Sequence, residues 1–124
     1  MKPQVINYPT LGLPVGPYSH AVIHGDTLYT SGMTAFGSNT QAADIAEQTK
    51  EIFKQLDYIA KQQGTGLNNL IKVTLFVSDF SDIDLLRQAL TEIYDTHTPA
   101  SSLVEVKTLF HEDLKIEIEA IIGL

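Results

Sequence analysis

The feature that most constrains the fold is a change of period along the chain. Residues 41–63 carry apolar side chains at the spacing of an amphipathic helix. The segments 20–31, 70–77 and 115–122 instead alternate or are rich in branched side chains, which is typical of strands. With a second helical pattern further on, the order is two strands, helix, strand, helix, two strands. This order predicts an α+β fold with two helices on one face of a mixed sheet.

Turn and cap residues set the remaining predicted boundaries. They are an edge strand at Val5–Ile6, a hairpin turn at Gly25-Asp26, an end to the first helix at Gly64-Thr65-Gly66, a second helix from Ser81 or Asp82 to about Thr96, and a short strand at Leu103–Val106. No linker or repeat divides the chain, so its 124 residues and 13.7 kDa predict a single domain over residues 1–124.

One face of this sheet is left without a helix. The strands nevertheless carry apolar residues at both parities, at Leu75-Phe76 and at Ile121-Ile122. An uncovered apolar sheet face usually packs against a partner subunit. The pattern therefore predicts a homo-oligomer.

The charge balance excludes several classes of function. Lys and Arg number 8 against 15 Asp and Glu, the net charge is -7, and Arg87 is the only arginine. Proteins that grip phosphate backbones normally show a basic surface, so nucleic-acid binding is not expected. The absence of cysteine excludes disulfides and thiol chemistry. With no apolar leader or span, the sequence predicts a cytoplasmic protein with no membrane partner.

Carboxylates and histidines are the first candidates for chemistry. The four histidines lack metal-ligand spacing, so no metal site is predicted. Glu117 and Glu119 share one face of the last strand, and that face is either simply solvated or turned toward a cleft. In a cleft at a subunit boundary, partial burial could fit one of them for acid or base work. The pattern alone does not separate these readings.

Two further side chains have a structural and a functional interpretation. Tyr18 follows Gly16-Pro17 on a rigid loop, where it either packs or walls a pocket. Arg87 lies on the polar side of the second helix, where a lone arginine is usually solvated. It is also the only group in the chain that could hold a carboxylate with a bidentate guanidinium.

Taken together, short motifs along nearly the whole chain resemble the RidA/YjgF family of enamine/imine deaminases. They are Gly16-Pro17-Tyr18-Ser19-His20-Ala21, Leu28-Tyr29-Thr30-Ser31-Gly32, Glu47-Gln48-Thr49, Val73-Thr74-Leu75-Phe76-Val77 with Asp79 and Asp82, Pro99-Ala100, Val104-Glu105-Val106 and Ile116-Glu117-Ile118-Glu119-Ala120. Each motif is modest, but their order along the chain is specific.

The resemblance implies a fold, an assembly and an activity. The fold would be chorismate-mutase-like, and three copies would form a homotrimer around a central β-barrel with a cleft between neighbouring subunits. Active members hydrolyse 2-imino acids such as 2-iminopropanoate to 2-keto acids and ammonia, without a metal or an organic cofactor. The expected partner is thus a small anionic metabolite, and the trimer would cover the open sheet face.

The resemblance carries over to the site residue by residue. Tyr18 matches the cleft tyrosine, Gly32 the glycine whose backbone lines the site, and Glu117 the glutamate that positions the attacking water. The arginine that clamps the substrate carboxylate is Ser101 in this chain, and a cysteine common two places later is Leu103.

Two more departures concern the same cleft. The cleft asparagine of the family falls on Arg87, and His20 stands where glutamine is common. We hypothesise that Arg87 replaces the missing anchor from the other wall of the cleft. The main hypothesis is imine hydrolysis, weak or altered, with Glu117 orienting water and Arg87 or Ser101 contacting the ligand. The alternative is a non-catalytic trimer that binds a metabolite or a partner, and the ribonuclease or translation-inhibitor role of some relatives ranks last.

Overall fold

The computed structural model describes all residues from 1 to 124 and contains six strands and two helices. The elements are β1 (Gln4–Ile6), β2 (Ala21–His24), β3 (Thr27–Thr30), α1 (Ile45–Gln62), β4 (Leu70–Val77), α2 (Ile83–Tyr94), β5 (Ala100–Glu105) and β6 (Ile116–Gly123). Single turns of 3₁₀ helix lie at Pro9–Leu11 and Leu67–Asn69. The predicted order of elements is confirmed.

All six strands form one mixed sheet in the order β1-β2-β3-β6-β4-β5. Neighbouring strands are antiparallel except β4 and β5, which run parallel and are joined through α2. β6, the last strand of the chain, thus enters the middle of the sheet between β3 and β4. The backbone of β6 is therefore hydrogen-bonded to a strand on each side, and this fixes the positions from which its side chains project.

The core lies between the two helices and one face of the sheet. Alternate residues of β6 are buried there, and the apolar stripe of α1 packs against them. The fully buried side chains include Leu28, Ile52, Leu56, Ile59, Val73, Val77, Leu86, Ile116, Ile118 and Ile122. The prediction of two helices on one face of a mixed sheet is therefore confirmed.

Three boundaries differ from the sequence prediction by two residues or more. α1 begins at Ile45 and not at residue 41, because the Asp44 side chain accepts a hydrogen bond from the Glu47 N–H at 2.8 Å and caps the helix. α2 ends at Tyr94, two residues early, and Asp82 sits at its cap position without a side-chain cap hydrogen bond.

The third difference is at β5, which was predicted to begin at Leu103 and begins at Ala100. Its parallel pairing with β4 starts with Ala100 opposite Lys72 and continues through Ser101 opposite Val73. Small polar residues carry no strand signal of their own, so long-range pairing decides this boundary.

The opposite face of the sheet has no helix over it. Tyr29 and Val104 are 45% and 40% exposed there, and Phe76 and Ile121 are partly buried. Large apolar side chains that remain exposed on a sheet face favour a surface that packs against a partner. No helix in the protein is long and apolar enough to cross a lipid bilayer, and the cytoplasmic location stays a prediction.

Candidate functional site

A pocket lies beside β6, at the edge of the uncovered face. It has a volume of about 480 Å³ and is open on one side. The loop 11–18, the segment 31–36 after β3, Gln55 of α1 and Phe110 surround it, and Glu117 and His20 also line it. Tyr18, Gly32 and Glu117, which the sequence analysis singled out together, all line this pocket.

The contact between Gly32 and Glu117 forms one wall of the pocket. After β3 the chain crosses to β6, where Met33 and Ile118 exchange two backbone hydrogen bonds of 2.8 and 3.0 Å. This pairing brings Gly32 directly against the Glu117 carboxyl. A Cβ at position 32 would lie 2.7 Å from the Glu117 Cδ and closer still to its Oε2. Glycine is therefore required here by the close approach of the carboxyl group.

The Glu117 carboxyl is half-buried and has no cation beside it. Burial raises the pKa of Glu117, and the negative charge of Glu119 on the same strand face raises it further. None of the ion pairs in the structure involves Glu117. A carboxyl in this state accepts and returns a proton more readily than a solvated glutamate, which suits general acid–base work.

Tyr18 lines the pocket from the proline-rich loop 11–18. Its ring packs on Gly16, where an added Cβ would lie 3.4 Å from the Tyr18 Cε1. The Tyr18 hydroxyl accepts a long hydrogen bond of 3.4 Å from the Val15 N–H, which leaves its own hydrogen free to donate. The ring is 45% exposed, so it has room to close on a ligand.

His20 also lines the pocket, and its ring is more tightly held than any other polar group there. The side chain is 94% buried, its Nδ1 accepts a 2.9 Å hydrogen bond from the Tyr8 N–H, and its ring stacks on the Tyr8 ring. Burial lowers the pKa of His20 below that of a free histidine. The sequence analysis treated His20 only as one of four scattered histidines and as a departure from the family.

An apolar rim surrounds these polar groups. Leu13, Val15, Phe36 and Phe110 all line the pocket with exposed side chains. The rings of Phe36 and Phe110 meet edge to face at 5.2 Å. In the sequence Phe36 and Phe110 are isolated aromatic residues, and nothing in their spacing predicts this contact.

The other three predicted site residues do not line this pocket within their own chain. Arg87 is exposed on α2, and Ser101 and Leu103 lie on β5 at the far edge of the sheet, where Leu103 packs against the core. No Lys or Arg lines the pocket. Any cation at this pocket must therefore come from another molecule. The roles of Arg87, Ser101 and Leu103 stay predictions.

No three His, Asp or Glu side chains converge closely enough to form a metal site. The titratable groups that line the pocket are a carboxyl, a phenol and an imidazole, on Glu117, Tyr18 and His20. They can bind a small polar molecule and exchange a proton with it.

Comparison with known proteins shows which sequences and folds this chain resembles. A family model described as endoribonuclease L-PSP matches residues 10–123. A RutC family protein of Sinorhizobium fredii is 36% identical over 113 residues, covering 89% of each chain. A 2-iminobutanoate/2-iminopropanoate deaminase of Dermatophagoides farinae is 29% identical and covers 98% of each chain.

The solved structures agree with the sequence comparisons. The crystal structure of RidA from an Antarctic Psychrobacter superposes with a TM-score of 0.86 at 28% identity, covering 98% of this chain and 99% of that one. A protein of unknown function from Pseudomonas aeruginosa superposes with a TM-score of 0.88 at 30% identity, covering 99% and 93%. The match thus extends over the whole domain, including β6 and the segment that packs against it. The chain belongs to the RidA/YjgF family.

Proposed function

We propose that this protein binds a small 2-imino acid at the Glu117 pocket and hydrolyses it to the 2-keto acid and ammonia. The observation that carries the proposal is the Glu117 carboxyl, half-buried against Gly32 and without a counter-ion, in a pocket that Tyr18 also lines. The deaminase of Dermatophagoides farinae, a relative of nearly equal length, gives the substrate class.

The pKa of Glu117 suits the two proton transfers of this reaction. In the first step a water molecule attacks C2 of the protonated imine, the C–O bond forms, and the Glu117 carboxylate takes the proton that water loses. The C=N electron pair moves to nitrogen and leaves a tetrahedral amino alcohol. In the second step Glu117 returns its proton to that nitrogen, the C–N bond breaks, and the hydroxyl proton leaves with ammonia as ammonium. The sum is one protonated imine and one water converted to one keto acid and one ammonium ion, with Glu117 returned to its starting state.

We also propose that the site is completed in a homotrimer. Its support is the open sheet face, with Tyr29 and Val104 exposed, together with the apolar rim of the pocket. A substrate carboxylate needs donors, and no cation of the same chain lines the pocket. In this proposal Arg87, Ser101 and Leu103 reach the cleft from the neighbouring subunit, and Arg87 supplies the positive charge. Light scattering should give three times the chain mass of 13.7 kDa.

A second candidate is a trimer that binds a 2-keto acid or a similar anion without converting it. The observation in its favour is Ser101 at the position of the family arginine, because a serine bonds an oxygen but brings no charge. A weaker or differently oriented ligand would no longer present C2 to Glu117.

The experiment that separates the two is a coupled assay. A threonine dehydratase generates 2-iminobutanoate, and the release of 2-oxobutanoate is followed with and without this protein. We expect faster release with the wild type, none with Glu117→Gln, and full acceleration with the control Glu47→Gln, whose exposed carboxyl lies on α1 outside the pocket. Binding of 2-oxobutanoate without any acceleration would overturn the hydrolase and leave the second candidate.

A further inference from the structure

We propose that His20 is a ligand-binding residue of this pocket, and that its Nε2–H donates a hydrogen bond to an oxygen of the ligand carboxylate. The inference deepens the proposed function and rests on it. It concerns His20, which in the resemblance stands at a position where glutamine is common.

The fold fixes which ring nitrogen of His20 carries the hydrogen. Its Nδ1 lies 2.9 Å from the Tyr8 backbone nitrogen, and that group can only donate. The neutral tautomer with hydrogen on Nε2 is thus the one that keeps this bond. Protonation of Nδ1 would leave the Tyr8 N–H without its acceptor, and burial of the ring also opposes the added charge.

The ring is also fixed in place. The His20 N–H donates to the Asn7 Oδ1 at 2.9 Å, and the His20 carbonyl accepts from the Ser31 N–H at 3.0 Å. Ser31 precedes Gly32, so the same segment holds His20 and packs against the Glu117 carboxyl. The ring centroids of His20 and Tyr8 lie 6.2 Å apart with planes only 18° from parallel. A donor held in this way loses little entropy when it binds.

The other ring nitrogen of His20, Nε2, is free. It has no hydrogen-bond partner in the protein, and the only fully buried side-chain nitrogen or oxygen without a partner is the Tyr94 hydroxyl. Nε2 therefore keeps some exposed surface, and because His20 lines the Glu117 pocket we infer that this pocket is the space it reaches. An unpaired N–H aimed into a pocket is a site for a hydrogen-bond acceptor.

Other donors around the pocket are already engaged or less fixed. The Ser31 hydroxyl donates to the Ser19 carbonyl, and the Gln55 amide donates to the Thr34 carbonyl and to Glu51. Within its own chain the pocket offers a carboxylate only neutral donors, and a hydrogen bond to a charged acceptor is the stronger kind. The His20 Nε2–H is the donor that is both unpaired and fixed in position.

Two substitutions at position 20 separate the contact of Nε2 with the ligand from the contact of Nδ1 with the Tyr8 N–H. His20→Asn places an amide oxygen where Nδ1 accepts from Tyr8 and removes the donor at Nε2. His20→Gln keeps an amide N–H near the Nε2 position and gives up the bond to Tyr8. We expect His20→Asn to bind 2-oxobutanoate about tenfold or more weakly and to melt somewhat below the wild type, because the buried ring that stacks on Tyr8 is lost. We expect His20→Gln to melt earlier and to bind within about threefold of the wild type.

Calorimetric titration of 2-oxobutanoate into the full chain gives these affinities. Equal affinities of the wild type and His20→Asn for 2-oxobutanoate would overturn the inference about His20 and leave the proposed function standing. A wild type that does not bind 2-oxobutanoate would instead overturn the proposed function and this inference with it. Nitrogen-15 NMR of the wild type tests the contact without any variant: the ligand should shift the Nε2–H resonance of His20 and leave Nδ1 unchanged, and an unmoved Nε2–H resonance would overturn the inference.

Discussion

The two faces of β6 share one backbone and have opposite chemistry. Toward the helices the strand presents Ile116, Ile118 and Ile122, all fully buried in the core. Toward the open side it presents the half-buried Glu117 and the exposed Glu119. The first face is completed within the chain, whereas the second carries a charged pocket with an apolar rim. In the proposed function, neighbouring residues of one strand serve folding and function separately, and single substitutions should separate the two.

The largest effect should come from the covered face. Ile118→Ala removes buried methyl groups and leaves a cavity, so we expect the free energy of unfolding to fall by about 2–5 kcal/mol. Glu119→Gln, one residue along, should change it by less than about 0.5 kcal/mol. Urea unfolding of both variants measures the difference. Similar losses for the two would contradict the division of β6 into a folding face and a functional face.

On the open face, Gly32→Ala should affect the site and not the fold. The added methyl group occupies the space of the Glu117 carboxyl, which must move by about an ångström and thereby lose on the order of a hundredfold in imine hydrolysis. Gly123→Ala is the matched control, because its Cβ would meet nothing closer than 3.6 Å. The coupled dehydratase assay compares them, and an active Gly32→Ala enzyme would show that the placement of Glu117 is not what matters.

Arg87 tests whether the open face is completed by another subunit. If Arg87 of a neighbouring subunit holds the ligand carboxylate, Arg87→Ala should weaken binding of 2-oxobutanoate about tenfold or more. Lys54→Ala removes another exposed charge, on α1, and should have no effect. Titration calorimetry on the assembled protein gives both values. Equal affinities for the two variants would mean that the anchor is not Arg87.

The smallest effect is a pH dependence of stability. Because folding raises the pKa of Glu117, the folded chain resists ionising this carboxyl, and stability declines as the pH rises from the ordinary value of 4.5 through the raised pKa. Glu117→Gln removes this decline. We expect the inactive variant to be more stable than the wild type at neutral pH and equally stable well below pH 4.5. Unfolding curves that differ by a constant at every pH would contradict the raised pKa.

The sequence predicts the covered face far better than the open one. The stripe of α1 and the alternation of β6 are local patterns, and each places its buried residues correctly. The start of β5 at Ala100 depends on pairing with β4, which no local pattern records. The resemblance brought Tyr18, Gly32 and Glu117 together, as the structure does.

The role that we propose for His20 could not be predicted in the same way. It depends on the Tyr8 N–H, which the fold brings to its Nδ1 from twelve residues earlier in the chain. A motif names the residue types that a family keeps in a cleft. It does not indicate what a different residue does there, because that follows from contacts formed only in the folded chain.

The most direct test of the account is a crystal structure of the protein with 2-oxobutanoate bound. We expect the keto acid in the pocket beside Gly32, with C2 facing the Glu117 carboxyl, its carboxylate on the His20 Nε2 and a second subunit closing the cleft. A keto acid bound elsewhere on the protein, with the Glu117 pocket filled only by water, would contradict the claim that the open face of β6 is the functional one.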